Sequence, residues 1–348
     1  MTESTRENTR NNAVSSPVNL TTDGGGASAP PPSRRIHRRP RGLGWAGRLE
    51  ITALTAPAVI VFVTFVILPV FMAAYYGFFK WKGYGDPRVT GTWAGLGNYK
   101  VILTDPLFHE ALWHNIEVVV LSLVIQAPIA ITFALLLNKK MRGQSLIRVL
   151  IFVPYVISEA VAGIGWSLLL ASNGAFNSLM RKMGLTFLDQ EWLSNPKLAM
   201  WTLMIILTWK YVGYATILML AGLQGIPEEL NEAAAIDGAS YWQTQRRITL
   251  PLLGPTIRIW AFLSIIGALQ LFDMVYIIWG QYVASTSGVS TMATYMNSNG
   301  RVSGNFGYGS AVAVVMFIIS LFIALAYQRI VLRRDTDGAL TGGGGRNR

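Results

Sequence analysis

The 348-residue sequence contains no cysteine, which removes disulfides, thiolate metal ligands and cysteine nucleophiles together and leaves the redox compartment undetermined. Charge is scarce: Asp, Glu, Lys and Arg supply 14% of the residues. An ordinary soluble domain carries about 25%. Histidine occurs three times. His109, Glu110 and His114 look like a zinc motif, but a five-residue spacing turns the two rings about 140° apart on a helix, too far to share one ion. They read as part of a plain helix before a membrane span, and no metal is expected. No G-x-x-x-x-G-K-[ST] occurs, so the chain has no nucleotide phosphate loop of its own. GLGWAG, Gly42 to Gly47, fits G-x-G-x-x-G in letters only, since no strand precedes it. No loop gathers paired carboxylates or a nucleophile with its base, so no enzyme activity is expected. No segment outside the apolar runs combines clustered basic residues with stacking aromatics, which argues against a nucleic-acid partner.

What is present is hydrophobic: 52% of the residues are apolar, which places the chain among membrane proteins. Six segments are long and greasy enough to cross roughly 30 Å of hydrocarbon as helices. They run near 54–79, 115–138, 148–171, 199–222, 257–280 and 309–332. Internal prolines such as Pro57, Pro69, Pro128 and Pro154 are compatible with this, because neighbouring helices can satisfy the backbone groups they free. With the amino terminus inside, twenty Lys and Arg fall on the inner side and eight on the outer, with Lys210 within a span. This positive-inside bias predicts an all-α integral membrane protein with six transmembrane helices and both termini cytoplasmic. The net charge of +11 also suits contact with anionic lipid headgroups. Residues 1–50, rich in Gly, Pro, Ser and Arg, read as a disordered basic tail, 51–335 as the six-helix domain, and 336–348 as a flexible tail. The amino-terminal segment does not read as a signal peptide, because the apolar run after it is too long and lacks a cleavage pattern.

The segment 225–255 is soluble-looking sequence between the fourth and fifth spans. It reads as two short helices joined at a corner. Pro227 suits a first helical position, Glu228 and Glu229 complement the helix dipole, and Gly238 falls where a left-handed cap is needed. Ser240 with Gln243 forms a capping box for a second helix, which Pro251 is expected to end. Ala233, Ala234 and Ala235 leave the backbone approachable on one face, a surface suited to a docking partner. An amphipathic hairpin lying on the inner leaflet is the competing reading, but lipid binding does not call for so many specified small residues.

Within this loop, E-A-A-x-x-D-G-A followed by an Ile and x-L-P stands at Glu232, Ala233, Ala234, Asp237, Gly238, Ala239, Ile248, Leu250 and Pro251. The run resembles the cytoplasmic loop of the permease subunits of binding-protein-dependent ABC importers. LAGLQGIPEELNEAA, GLGNYKVILTDPLF, IRVLIFVPYVIS and FDMVYII are similar to the sugar and glycerol-phosphate branch of that family. The resemblance covers roughly residues 50–332. Two features depart from it: Gln245 stands where an aromatic residue is frequent, and WGQYVASTSGVS replaces a Gly-Gly-Gly-Pro element after the fifth span. The resemblance implies a type I importer permease fold in the plasma (inner) membrane, crossing it several times, that moves a sugar or oligosaccharide by alternating access. It also implies the partners: a second, related but different permease subunit, two copies of a cytoplasmic ATPase that binds the ATP so that this chain needs no cofactor, and an external substrate-binding protein. The loop's first helix is then the coupling helix, with Glu232 as a polar contact and Gly238 making the turn. Glycerol-phosphate or another small polar solute is the alternative cargo, and a gradient-driven secondary transporter is a second class of reading.

Ionisable groups at membrane depth are costly and therefore candidates for function. Glu159 and Lys210 each lie about eleven residues from a span end, near the midplane at 1.5 Å per residue, and are expected to form a charge pair. Asp273 lies near Gln270 and Tyr276 in the fifth span, while the fourth supplies Trp209, Tyr211 and Tyr214. Together these six are candidates for a substrate pathway, because sugars are held by planar hydrogen-bonding groups and aromatic faces. Helix packing and interfacial aromatic belts remain the competing reading.

Overall fold

The computed structural model describes residues 45–139 and 141–332. Most of the expected basic tail and all of the tail 336–348 lie outside the described residues. The chain divides into two units at Ala58 and Val59. Of the first, the described part is helical from Trp45 onward, so helix begins inside the segment expected to be tail. The reason is local: the Gly- and Pro-rich stretch gives way to WAGRLEITAL, which has one glycine, no proline and several good helix formers.

Five helices among the described residues are long and apolar enough to cross a membrane: Leu49–Tyr76, Pro106–Asn138, Pro196–Gln224, Gly254–Gly280 and Phe306–Val331. A bent pair, Gln144–Val156 and Glu159–Leu169, passes the same test jointly with 94° between its halves, as a broken span or a re-entrant loop does, so the helices number five, or the expected six when the pair is counted as one, and it is called the third span below. The second and fourth spans begin earlier than their apolar runs because of their caps. Asp105 precedes Pro106 and accepts from Leu107 N at 2.9 Å, and Asn195 precedes Pro196 and accepts from Lys197 N at 3.0 Å. In each case a side-chain oxygen meets an orphan N–H and the proline occupies a position that needs no N–H.

Prolines inside helices are accommodated by a repeated device. Wide π-helical turns run over Val63–Ile67, Ser122–Gln126 and Gln245–Thr249, and each ends two residues before a proline: Pro69, Pro128 and Pro251. A proline ring collides with the carbonyl four residues back, and a widened turn moves that carbonyl aside. Pro251 therefore does not end the second loop helix as expected. It sits in a short helical turn, Leu250–Leu252, that continues from the wide one.

The fourth span is the centre of the bundle. Its Leu203 and Leu207 pack with Val118 of the second span and with Met274 and Val275 beyond the break in the fifth. Nearer its other end Ala215, Met219 and Leu223 meet Ala127, Ala130 and Ala134. Small residues let helices approach closely where lipid supplies no hydrophobic drive. At Gly213 the approach is closest, since a Cβ there would run into the carbonyl of Ile151 on the third span. A further cluster joins Ile102, Phe108, Leu269, Met292 and Val312. There Tyr295 donates to the Asp105 carboxylate and lies 2.7 Å from the Tyr308 hydroxyl. Burial, reinforced by the Asp105 hydrogen bond, pushes the Tyr295 hydroxyl well above the ordinary tyrosine range. Apolar side chains such as Phe65, Leu168 and Phe322 face outward, which in a membrane is the lipid-facing surface.

Candidate functional site

The bend in the third span is organised by Lys210. The helix from Gln144 contains Pro154 and stops at Ile157, whose backbone is extended (φ −62°, ψ 135°), and Ser158 caps the next helix. A helix end leaves carbonyls without partners. Lys210, only 3% exposed, reaches across from the fourth span and its Nζ donates to the carbonyls of Pro154 at 3.2 Å, Tyr155 at 3.3 Å and Ile157. A cation at a helix carboxyl end is also favoured by the dipole, as is an anion at an amino end. Glu159 holds the latter position, in the first turn of the second half-helix, and accepts the Tyr211 hydroxyl proton. The expected Glu159–Lys210 charge pair is thus not formed. Each group instead serves one side of the break, and the sequence could not show this because it reads as one continuous apolar run.

Beside this break lies a cavity of about 320 Å³ between the second, third, fourth and fifth spans. Tyr211 and Tyr214 line it, as expected of pathway residues, and so do Ser122, Gln126, Tyr155, Trp260 and Ser264, which were not anticipated. Tyr155 stacks on Tyr214 with ring centroids 5.0 Å apart, and its carbonyl is one of those held by Lys210. Ser122 bonds both Gln126 Oε1, at 2.9 Å, and Ser264 across the cavity. The site thus offers aromatic faces beside an uncharged set of hydroxyls and one amide. Ser122 and Gln126, four apart inside an apolar span, were the signal in the sequence, being polar groups that must find partners at that depth.

The other expected pathway residues lie outside this lining. Trp209 packs edge-on against Trp166 at 5.3 Å. Gln270, Asp273 and Tyr276 mark a second break, where the fifth span is interrupted between Leu269 and Asp273. Gln270 and Asp273 are exposed there and Tyr276 stacks on Phe272 at 5.0 Å. Carbonyls freed by this break are met by Asn115, which donates to Ala268 O at 2.6 Å, and by Thr291, which donates to Leu271 O at 2.7 Å. His114, buried, has its Nδ1 2.8 Å from Ser290 O and ties the second span to this same region.

The loop between the fourth and fifth spans forms the expected corner. A helix spans Glu229–Ile236, starting two residues after Pro227, with Asp237 as its cap. Gly238 follows with φ +75°. Ala239 N donates to Ala234 O at 2.9 Å and Gly238 N to Ala235 O at 3.1 Å, which is the Schellman arrangement and closes the helix end. The Ser240–Gln243 capping box is formed in both directions. Among the motif residues Ala234 is buried, Ala239 and Ile248 are half-buried, and Glu232, Ala233, Asp237, Gly238, Leu250 and Pro251 are exposed. Around them Ile236 is 86% and Trp242 76% exposed. Such residues on a polar loop mark a surface that a partner covers.

Broken spans packed around an uncharged polar cavity, with a rigid corner presented beyond the membrane-crossing helices, define a multi-pass membrane permease. Residues 126–335 match the family described as binding-protein-dependent transport system inner membrane component. The chain is 30% identical over 303 residues to the arabinooligosaccharide transport system permease of Bacillus subtilis, covering 86% of this chain and 94% of that one. It is 30% identical over 281 residues to the trehalose/maltose transport system permease of Thermococcus litoralis, covering 80% and 92%. In fold it is similar to a chain of a bacterial alginate ABC transporter solved with an alginate pentasaccharide-bound periplasmic protein (TM-score 0.71, 22% identity, 82% and 94% covered). The chain belongs to the binding-protein-dependent transport system inner membrane component family, the permease part of ABC importers.

Proposed function

We propose that this permease carries a sugar or oligosaccharide inward across the plasma membrane, with the loop 225–255 and both termini in the cytoplasm. The observation that carries the cargo reading is the 320 Å³ cavity, where Tyr155, Tyr211, Tyr214 and Trp260 offer ring faces and Ser122, Gln126 and Ser264 offer neutral hydrogen-bonding groups. That combination fits an uncharged polyol. No Lys, Arg or His is among the residues lining it, so glycerol-phosphate has no counter-charge there. The relatives named for arabinooligosaccharides and for trehalose/maltose support the same class of cargo.

In this reading an external binding protein delivers the sugar, and ATP bound by two ATPase copies draws them together. Their motion is passed through the corner at Gly238 to the fourth and fifth spans, and the chain itself catalyses no bond chemistry. One corner and six spans make half of a transport channel, so a second permease completes it. Glu232, Ala233, Asp237 and Gly238 are the residues assigned to the ATPase contact, with Ile248, Leu250 and Pro251 holding the second helix against it. Buried Ala234 and half-buried Ala239 set the helix on its base. The test is uptake by the reconstituted complex, with its binding protein, of a panel of radiolabelled neutral sugars and of glycerol-phosphate. Accumulation of a neutral sugar that needs ATP, and that falls at least tenfold in Gln126→Leu, is expected. ATP-independent uptake driven by an ion gradient would overturn the importer reading.

A further inference from the structure

A second cavity, about 820 Å³, lies between the ends of the second and fourth spans and the inner side of the loop corner. Beside apolar side chains such as Leu135, Leu223 and Ile226, its wall carries amides and hydroxyls: Asn138, Gln224, Asn231, Thr244, Gln245 and Thr249. One cation and one anion complete it, Lys139 and Glu228, and Lys139 Nζ sits 3.6 Å from the centre of the Tyr241 ring. A cavity of balanced charge is a poor site for phosphate or for a lipid headgroup. Groups that both donate and accept match the hydroxyls of a neutral sugar.

Two of these wall groups have no hydrogen-bond partner: the Gln245 side-chain carbonyl and the hydroxyl of Thr249, a residue only 6% exposed. Leaving a buried polar group unmet costs about 1–3 kcal/mol, and these two stand four residues apart in the same wide turn, Gln245–Thr249. In the first cavity Ser122, Gln126 and Ser264 bond one another, whereas here the wall is left unsatisfied. Both atoms are shut off from bulk water as the side chains stand, so their use by a solute in the cavity requires the two side chains to turn toward it.

The loop helix is two-faced. Glu228, Asn231 and Ala235 recur at helical spacing and line the cavity, while Glu229, Ala233 and Ile236 fall on other sides of the helix. A protein docked on exposed Ile236 and Trp242 therefore does not fill the cavity.

We propose that this cavity is a binding site for a neutral sugar on the side assigned here to the cytoplasm. The bound sugar is held by the amides of Asn138 and Asn231 and by Gln245 and Thr249. Occupied, it braces the corner against the ends of the second and fourth spans, so that sugar accumulated inside restrains the loop the ATPase must move. The choice of sugar as ligand rests on the importer reading above.

The chain's lack of cysteine gives a direct test. Leu135→Cys and, separately, Ala235→Cys each place a single thiol of this chain in the wall while keeping the side chains assigned to the sugar. Maleimide labelling is followed in inside-out vesicles holding the whole complex, with glucose, trehalose or lactose at millimolar concentration. Labelling slowed several-fold by at least one of the three is expected, with no slowing by inorganic phosphate or glycerol 3-phosphate, and with the protection lost on adding Thr249→Val. No protection by any of the three sugars at either thiol, equal protection in Thr249→Val, or protection by phosphate would overturn the site. Sugar uptake is measured on the same preparation: uptake without protection rejects this site alone, and protection without ATP-driven uptake rejects the importer reading alone.

Discussion

The bend at Ile157 and the corner at Gly238 are both places where one helix stops and another starts at an angle, yet they are finished differently. At the bend, Lys210 takes the carbonyls of Pro154, Tyr155 and Ile157, Ser158 caps the helix that follows, and Glu159 is met by Tyr211. At the corner the backbone closes on itself, but Ile236 and Trp242 are left exposed and Gln245 and Thr249 unmet. The difference follows from the surroundings. Hydrocarbon offers no hydrogen bonds, so a turn inside a membrane must be completed by the chain itself. A turn outside the spans can leave its side chains for something else to complete. The bend is a matter of stability, and the corner, in the function proposed above, a matter of assembly.

The largest expected effect tests the first half of that contrast. Lys210→Met strands three carbonyls at the bend, at about 1–3 kcal/mol for each unmet group. A loss of several degrees in the Tm of the detergent-solubilised complex, with poor recovery from membranes, is expected. Exchanging the charges, Lys210→Glu with Glu159→Lys, should restore nothing, because the partners of Lys210 are carbonyls. Recovery of Tm in the double variant would restore the ion-pair reading and erase the contrast.

Gly213→Val comes next. Its side chain would collide with the Ile151 carbonyl and push the third span off the fourth, at about 1–3 kcal/mol of overpacking. A wild-type Tm would show that the two spans are not in close register. Gly238→Leu shifts the effect from fold to assembly. The space around Gly238 is open but its φ is +75°, so strain of about 1–2 kcal/mol is confined to the loop. Co-purified ATPase should fall at least tenfold while the permease stays near its wild-type Tm, and full uptake with normal ATPase recovery would sink the anchor assignment. The smallest effect on the fold is Trp242→Ala, within about 0.5 kcal/mol for an exposed residue. ATPase recovery should still drop, and unchanged recovery would remove Trp242 from the docking surface.

The contrast also explains which features were legible in the sequence. The corner is written locally: Gly238 with its flanking alanines, Ser240 with Gln243, and the motif from Glu232 to Pro251 all specify geometry through near neighbours. The long apolar helices were equally plain, since length and composition set them. The bend was not legible, because 148–171 has the length and composition of a single span despite Pro154 and Glu159, and the partner that stabilises its break, Lys210, lies 53 residues beyond Ile157. The same long-range dependence hid the cavity. Ser122 and Ser264 meet only when the second and fifth spans pack, whereas Gln270, Asp273 and Tyr276, close together in the sequence, stand at a second break. Pro251 suggests a stop by itself, but a wide turn before it lets the helix continue.

The wide turns have one more effect. Each holds a residue beyond what an α-helix of the same rise would need, so every later residue is set back in azimuth by about 100° relative to an uninterrupted helix. In the second span the shift falls at Ser122–Gln126, the stretch that lines the cavity. The helix before it and the helix after it can then turn different meridians toward lipid and toward protein. Removing one residue from that turn, Val124 for instance, would restore regular winding over the same rise and keep Ala130 and Ala134 on the face that meets the fourth span, but would bring Pro128 against its preceding carbonyl. The number of residues in the second span is therefore set by what Pro128 needs as well as by membrane thickness.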